Sequence, residues 1–273
     1  MLIAQLTDPH IKPRGRLAYR KVDTAAHLAG AVAAVNALVT PPDVVLMTGD
    51  LVDAGRPEEY GLLREILQPL KAPLLPVPGN HDERGAMAAA FPELPFMPRG
   101  DGFVQYVVED WPVRLIGLDS VLPGRGGGEL CGERLAWLDA RLSEQPARPT
   151  VLFLHHPPFN TGIGHMDAQG FLGKEAFAAV VRRHPQVERV LCGHMHRAIQ
   201  VRWAGTIAST APSPAHQVAL DLRDDAPSCF VMEPPGYQLH LWREDSGLVS
   251  HTAPIGPWDG PHPFFDPAGA LID

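Results

Sequence analysis

Histidine, aspartate and asparagine recur in five short clusters along the chain: Asp8-x-His10, Gly49-Asp50, Gly79-Asn80-His81-Asp82, His155-His156 and Gly193-His194-x-His196. Imidazole nitrogen and carboxylate oxygen are ligands for Zn, Mn, Fe or Co, and no cluster offers a thiolate. Seven such donors are too many for one ion that keeps an open coordination position. They fit two ions with one carboxylate bridging, and the middle one, Asp50, is the natural bridge. Singly these motifs say little. A lone His after a strand is most often hydrogen-bonded, Asp-x-His is weak, and Gly-Asp is nearly meaningless. The signal lies in the set, because every cluster stands just after a short apolar run.

Those runs are the elements that must position the donors. Leu2–Thr7, Val44–Met47, Leu74–Val77, Val151–Leu154 and Val187–Leu191 read as buried strands. Asp23–Val39 reads as a helix with Asp23 as N-cap, and Pro57–Leu70 as a second that opens on Pro-Glu-Glu. Strand, helix, strand, helix, strand implies parallel pairing with both sheet faces covered. In an open α/β sheet, side chains just past the carboxyl ends of parallel strands converge on one crevice. Residues far apart in sequence can therefore share one site. Glycine before Asp50, Asn80 and His194 suits tight turns. Phe103–Val108 and Val113–Leu118 read as further strands, and Glu133–Ser143 and Lys174–His184 as helices. Past His196 only short strand-like runs follow (Ile199–Trp203, Cys229–Met232, Gln238–Trp242, Leu248–His251), with no helix. Pro254–Asp273, rich in Pro and Gly, reads as a surface strap.

Composition narrows the function classes. With 273 residues, 45% hydrophobic and 20% charged, the chain has one-domain length and ordinary globular character. The formal net charge of −8 disfavours a nucleic-acid polymer or an anionic membrane as partner. Three Cys without a C-x-x-C form neither a disulfide framework nor a zinc ribbon. The start carries no basic n-region and meets Asp8 early, unlike a signal peptide, and no apolar stretch reaches the roughly 20 residues of a membrane span. With free Cys, these features point to the cytoplasm.

The order D-x-H, GD, GNHD, HH-P, GH-x-H runs from Asp8 to His196, about 70% of the chain, and resembles the calcineurin-like binuclear metallophosphoesterase superfamily. Gly55-Arg56-Pro57-Glu58-Glu59-Tyr60, Met166-Asp167, His216-Gln217-Val218 and Ser228-Cys229-Phe230 look like the bacterial class III cyclic nucleotide phosphodiesterases, and most of all their glycerophosphodiesterase branch. The resemblance implies an α/β fold, a four-layer α/β/β/α sandwich with a small β-rich cap used for dimerisation. Residues 1–196 plus about 255–273 would form the catalytic domain and about 197–254 the cap. It implies two divalent ions, Fe2+, Mn2+, Zn2+ or Co2+. Asp8, His10 and His196 would bind the first, Asn80, His155 and His194 the second, and Asp50 both. His156 would stand behind its neighbour. His81 would face the leaving group, and Tyr19 and His216 would lie near the substrate, which Asn80 would also contact.

The implied reaction is hydrolysis of a small phosphodiester, a glycerophosphodiester or a 3′,5′-cyclic nucleotide such as cAMP, by a hydroxide shared between the ions. Two dications, two carboxylates and one hydroxide leave a net charge near plus one, which matches the single charge of a diester. Because Asn80 is neutral, the second ion is expected to bind more weakly than the first. The implied assembly is a homodimer or a higher homo-oligomer through the cap. Competing readings are a phosphomonoesterase of the same superfamily and a non-catalytic metal-binding scaffold on the same fold. Purple acid phosphatases resemble the pattern but place a Tyr ligand three residues after the bridging Asp, where this chain has Asp53. The acidic pair Asp82-Glu83 after Asn80-His81 disfavours a phosphomonoester dianion, and every ligand position is filled, unlike in a scaffold. Choice among diesters falls to the loops around Tyr19, 123–128 and 159–171 and to the cap, and broad specificity is expected.

Overall fold

β1 (Leu2–Leu6) and β2 (Val44–Thr48) are almost wholly buried five-residue strands, which is why their sequences show no polar alternation. The computed structural model describes residues 1–98, 100 and 102–272. After β1 come α1 (Thr24–Asn36), β2, α2 (Pro57–Leu67), β3 (Leu74–Val77) and α3 (Arg84–Ala90). β4 (Tyr106–Val108), β5 (Arg114–Gly117), β6 (Gly128–Glu129) and α4 (Gly132–Glu144) follow. Next are β7 (Thr150–Phe153), α5 (Gly164–Asp167), β8 (Phe171–Leu172), α6 (Lys174–Arg183) and β9 (Val187–Cys192). The chain then runs through β10 (Ile199–Trp203), β11 (Thr206–Thr210), β12 (Gln217–Val218), β13 (Phe230–Val231), β14 (Gly236–Arg243) and β15 (Gly247–Pro254).

Two sheets organise the molecule, and together with the helices they make a mixed α/β fold. The first has order β15-β14-β1-β2-β3, and the second β10-β11-β9-β7-β5-β4. β1, β2 and β3 are parallel, as are β5, β7, β9 and β11. Antiparallel strands flank them: β14 and β15 on one side of the first sheet, β4 and β10 at the two edges of the second. Alternate residues of β7 enter different cores. Val151 and Phe153 join the apolar cluster of the first sheet and α1–α3, while Leu152 joins a second cluster with Leu138 of α4 and Phe177 of α6.

Local chemistry explains the helix boundaries. The Asp23 carboxylate accepts from the Ala26 N–H at 3.0 Å and starts α1, as the sequence predicts. α1 ends at Asn36, three residues before the expected stop. The Asn36 side chain donates to the Pro69 carbonyl (2.8 Å) and accepts from the Lys71 N–H (3.1 Å), tying the helix end to the loop before β3. α3 has no signal in the sequence, because Arg-Gly-Ala-Met-Ala-Ala-Ala shows no apolar period. Its start is held by Glu83, whose carboxylate accepts from Gly85 and Ala86 N–H at 3.0 and 2.7 Å.

Past His196 the chain is rich in strands, as the sequence predicts, and most of them join the two main sheets. β10 and β11 extend the second sheet, and β14 and β15 extend the first. The reason is edge protection: without β14, β1 would present an unpaired backbone edge beside the strand end that carries Asp8. Only the small β12–β13 sheet lies outside the two main sheets in this part of the chain. The tail beyond Ile255 does not rejoin a core, and Trp258, Phe264 and Phe265 are exposed. Among the described residues no helix is long and apolar enough to cross a membrane.

Gln5 joins the two sheets at their buried centre. Its amide donates to Thr48 Oγ1 on β2 (3.0 Å) and to the Cys192 carbonyl on β9 (2.9 Å), and its Oε1 lies 3.1 Å from His240 Nε2 on β14. Gln5→Ala strands these partners away from water. Unfolding in urea is expected to show a loss of about 2–4 kcal/mol, reflecting unsatisfied buried polar groups rather than lost apolar area.

Candidate metal centre

The carboxyl ends of β1, β2, β3, β7 and β9 open on one point. Asp8 and His10 follow β1, Asp50 follows β2, Asn80 and His81 follow β3, His155 follows β7, and His194 and His196 follow β9. All seven donors singled out in the sequence come together there. Asp8, His10 and His196 form one group whose ligand atoms lie within 4.8 Å of one another, and Asp8, Asp50 and His155 form another. His155 Nε2 is 3.3 Å from Asp50 Oδ2 and 3.1 Å from Asn80 Oδ1, and His194 Nδ1 is 3.2 Å from His155 Nε2. His10 Nε2 is 3.1 Å from His196 Nε2 and 3.6 Å from Asp50 Oδ2. Asp50 thus stands between the two groups.

The turns that make this possible are strained. Among the described residues eight non-glycine residues have positive φ, and five of them are Asp8, His10, Asp50, His194 and His196, with φ between 47° and 69°. Such conformations cost of order 1–3 kcal/mol each and persist only where surroundings enforce them. Here the enforcement is backbone to backbone: Asp8 N–H donates to the Gly49 carbonyl and His10 N–H to the Asp50 carbonyl, both at 3.0 Å. Asp82 binds the neighbouring loops, its carboxylate accepting from Leu51 N–H (3.0 Å), Gly79 N–H (2.9 Å) and the Tyr60 hydroxyl (2.8 Å). Gly79 is required by close approach, because a Cβ there would sit 2.2 Å from Asp50 Oδ1.

Hydrogen bonds orient the imidazoles. His155 Nδ1–H donates to the Thr48 carbonyl and His196 Nδ1–H to the His216 carbonyl, both at 2.9 Å. A carbonyl only accepts, so each Nδ1 carries the proton and each neutral ring turns an Nε2 lone pair inward. Those lone pairs meet carboxylate oxygen, amide oxygen and other nitrogens at 3.1–3.4 Å. Positive charge must lie between them, supplied by a proton or by a cation. Buried acceptors crowded without enough protons are the chemistry of a metal site, and the residues present fit one.

Electrostatics agree. Burial works to raise the Asp8 pKa, but His196 and His155 hold it down to about 2. Asp50 is likewise held well below its ordinary range against burial, first by His155. Burial opposes protonation of His155, yet Asp50 and Asp8 push it up to about 9. His194 goes the other way, to about 3, through burial and then the charge of His155. At pH 7 the two carboxylates are therefore ionised, and one strong positive charge is drawn onto His155.

Beyond the donors, a cleft of about 380 Å³ is lined by His81, Tyr19 and His216 together with Asp50 and Asn80. His81 Nδ1 donates to the Asp53 carbonyl at 2.7 Å, which leaves its Nε2 for the cleft. Burial lowers its pKa, but Asp50 and the Asp53 carbonyl outweigh burial and leave it raised. Tyr19 is 57% exposed, and its ring lies 5.3 Å from that of His216. Four contributors have no role at the site that the sequence alone assigns. The Thr48 carbonyl is invisible to any side-chain motif. Asp53 pairs with Lys12 and lies 3.8 Å from His10 Nδ1. His165 and Phe230 reach the cleft from loops whose course only the tertiary structure defines.

Comparison with known proteins agrees with this architecture. The family model described as calcineurin-like phosphoesterase matches residues 1–198. A protein of Arcobacter nitrofigilis named probable glycerophosphodiester phosphodiesterase GpdQ is 44% identical over 274 residues, covering 100% of both chains. Glycerophosphodiester phosphodiesterase GpdQ of Enterobacter lignolyticus is 34% identical, covering 94% of each chain. The 3′,5′-cyclic adenosine monophosphate phosphodiesterase CpdA of Escherichia coli K12 is 30% identical, over 77% of this chain and 75% of its own. A dimetal phosphatase from Danio rerio shares the fold, with TM-score 0.67 at 16% identity over 94% of this chain and 99% of its own. With the motif order, the strand-end geometry and these matches in agreement, the chain belongs to the calcineurin-like phosphoesterase family.

Proposed function

We propose that the chain hydrolyses small phosphodiesters, glycerophosphodiesters and 3′,5′-cyclic nucleotides, at a centre of two divalent cations. Asp8, His10 and His196 would hold one ion, Asn80, His155 and His194 the other, and Asp50 both. Bound there, the cations would supply a water acidic enough to ionise near neutral pH and fixed positive charge against the phosphoryl oxygens. The observation that carries the diester reading is the charge of the cleft wall. Among the described residues lining the cleft, none is Lys or Arg. Arg84, the cation nearest in sequence to the Asn80-His81 turn, is turned away: its guanidinium donates to both Asp119 oxygens (2.7 and 2.9 Å) and to the Val121 carbonyl (2.8 Å). A phosphomonoester dianion would find no side-chain cation to balance its second charge, whereas a diester monoanion needs none.

The chain's own residues have separable roles. Thr48 and His216 carbonyls keep two ligand imidazoles in the Nδ1–H form. Asp82 holds the Asp50 and Asn80 turns at a fixed separation. Hydrolysis breaks one P–O ester bond, and the departing alcohol oxygen takes up a proton. His81, raised in pKa and with Nε2 toward the cleft, is placed to donate it. Tyr19 and His216 would border the ester substituents. Names of relatives on both sides of the family, glycerophosphodiesterases and cyclic nucleotide phosphodiesterases, support a broad diester specificity.

The same reading stacks the molecule as helices, sheet, sheet, helices, supported by the division of β7 side chains between two cores. It makes the β-rich part from about 197 to 254 the cap and the contact of a homodimer, supported by exposed Leu220, Leu222 and Met232.

Substrate class is tested by a panel with one metal. cAMP and a glycerophosphodiester are expected to exceed a matched phosphomonoester in kcat/KM by at least about tenfold, and preference for the monoester would overturn the reading. His81→Ala is expected to slow alkoxide-leaving substrates by about 10²–10⁴-fold while sparing bis(p-nitrophenyl) phosphate, whose leaving group needs no proton. Equal loss on both would remove the proton-donor role. Metal loading gives a third check. Below about 9 the metal-free chain carries a proton on His155 that a cation must displace. Calorimetry in buffers of different ionisation enthalpy is expected to show proton release on binding at pH 7, with affinity rising as pH rises toward that value.

A further inference from the structure

The Gly55-Arg56-Pro57-Glu58-Glu59-Tyr60 motif lies beside the metal centre, and the reaction derived above gives Glu59 no part. Glu59 and Tyr60 stand in the first turn of α2, each 1% exposed. They grip the two loops that present His81. Tyr60 holds the 79–83 loop: its hydroxyl donates to Asp82 (2.8 Å) and accepts from the Glu83 N–H (3.2 Å). Glu59 holds the other loop. Its Oε2 accepts from the Ala54 N–H at 3.0 Å and from the Arg56 N–H at 3.1 Å.

The Ala54 N–H belongs to the same peptide group as the Asp53 carbonyl, to which His81 Nδ1–H donates at 2.7 Å. In a trans peptide the N–H and the C=O point in opposite directions. Glu59 therefore holds one end of this peptide and His81 the other. Upstream the chain is fixed at the Asp53 N–H, which donates to the Ile11 carbonyl at 3.1 Å. Rotation about the Asp53 Cα–C bond would still re-aim the carbonyl. Among the described residues, the bond from Ala54 to Glu59 is what holds the far side of that peptide.

Helix capping does not account for this contact. A Glu at the third position of a helix reaches back to the N-cap N–H, here that of Arg56. The bond to Ala54 goes two residues further, outside the helix, and capping needs no such partner. The two loops also press on each other, since a Cβ on Gly55 would lie 2.9 Å from Glu83 Cβ and 3.3 Å from the His81 carbonyl. A carboxylate bound to one end of a peptide polarises it and strengthens the acceptor at the other end.

We propose that Glu59 is a positioning residue for His81, acting through the Asp53–Ala54 peptide. Its carboxylate aims and polarises the carbonyl that holds the His81 Nδ1 proton, and so keeps Nε2 directed into the cleft. The use made of His81 as proton donor rests on the diesterase reading above, and the orientation does not.

The test uses the zinc-loaded protein, which is diamagnetic, labelled with nitrogen-15 histidine. The Nδ1 proton of His81, identified by its loss in His81→Ala, is expected to exchange slowly with water. In Glu59→Ala the exchange should quicken at least about tenfold, and Glu59→Gln, which keeps an acceptor oxygen in place, should stay within about threefold of the natural protein. Glu59→Asp keeps a carboxylate for the helix start but draws it back by one methylene. It should quicken exchange as Glu59→Ala does, and it decides the outcome if the alanine variant does not fold. Unchanged exchange in the Ala or Asp variant, or equal quickening in Glu59→Gln, overturns the proposal. Kinetics add a second readout. Where His81→Ala slows alkoxide-leaving diesters and spares bis(p-nitrophenyl) phosphate, Glu59→Asp should show the same split, with kcat down at least about tenfold and KM within about twofold. Absence of the split in Glu59→Asp overturns the proposal. Exchange does not depend on turnover, so a protein that hydrolyses no diester but follows the exchange pattern refutes the diesterase reading and supports the positioning role.

Discussion

Three backbone carbonyls hold the chemistry of this protein in place. Those of Thr48, His216 and Asp53 take the Nδ1 protons of His155, His196 and His81, so the opposite edge of each ring faces the cleft. Imidazole is useful only when its proton sits on the right nitrogen, and a carbonyl settles that without adding charge. The consequence is a crowd of acceptor atoms around Asp50, 3.1–3.6 Å apart, that requires positive charge in its midst.

Such crowding is held by backbone strain. Left-handed turns at Asp8, His10, Asp50, His194 and His196 swing each side chain inward just as its strand ends. The stability that offsets this strain comes from the buried strands behind them and from the polar links between sheets. Gln5 is central among those links, since it bonds β2 and β9 immediately before the residues that lead to Asp50 and His194. Rigidity behind the site and strain within it are therefore two aspects of one arrangement.

The charge pattern around the centre separates it from a monoesterase. Acidic and imidazole groups concentrate at the strand ends, while the cations close in sequence are engaged elsewhere: Arg84 on Asp119, and Lys12 on Asp53. Asp53 stands where purple acid phosphatases have a tyrosine, and here it serves His81 through its carbonyl and Lys12 through its carboxylate. One position thus bears on both the surroundings of His10 and the orientation of His81.

Much of this was legible before any coordinates. The donors, their order, their place after apolar strands and the parallel pairing all follow from local pattern, because a strand end and a turn are written in adjacent residues. Asp23 as N-cap and Pro57 at a helix start are equally local. What only the tertiary structure decided depends on long-range pairing. β14 belongs beside β1, although about 230 residues separate them, because an apolar strand needs an edge partner and no local motif states which one. The strands past His196 join both main sheets for the same reason. The carbonyl of Thr48 and the turning away of Arg84 have no sequence signature, since a hydrogen bond between distant residues exists only once the chain has closed on itself.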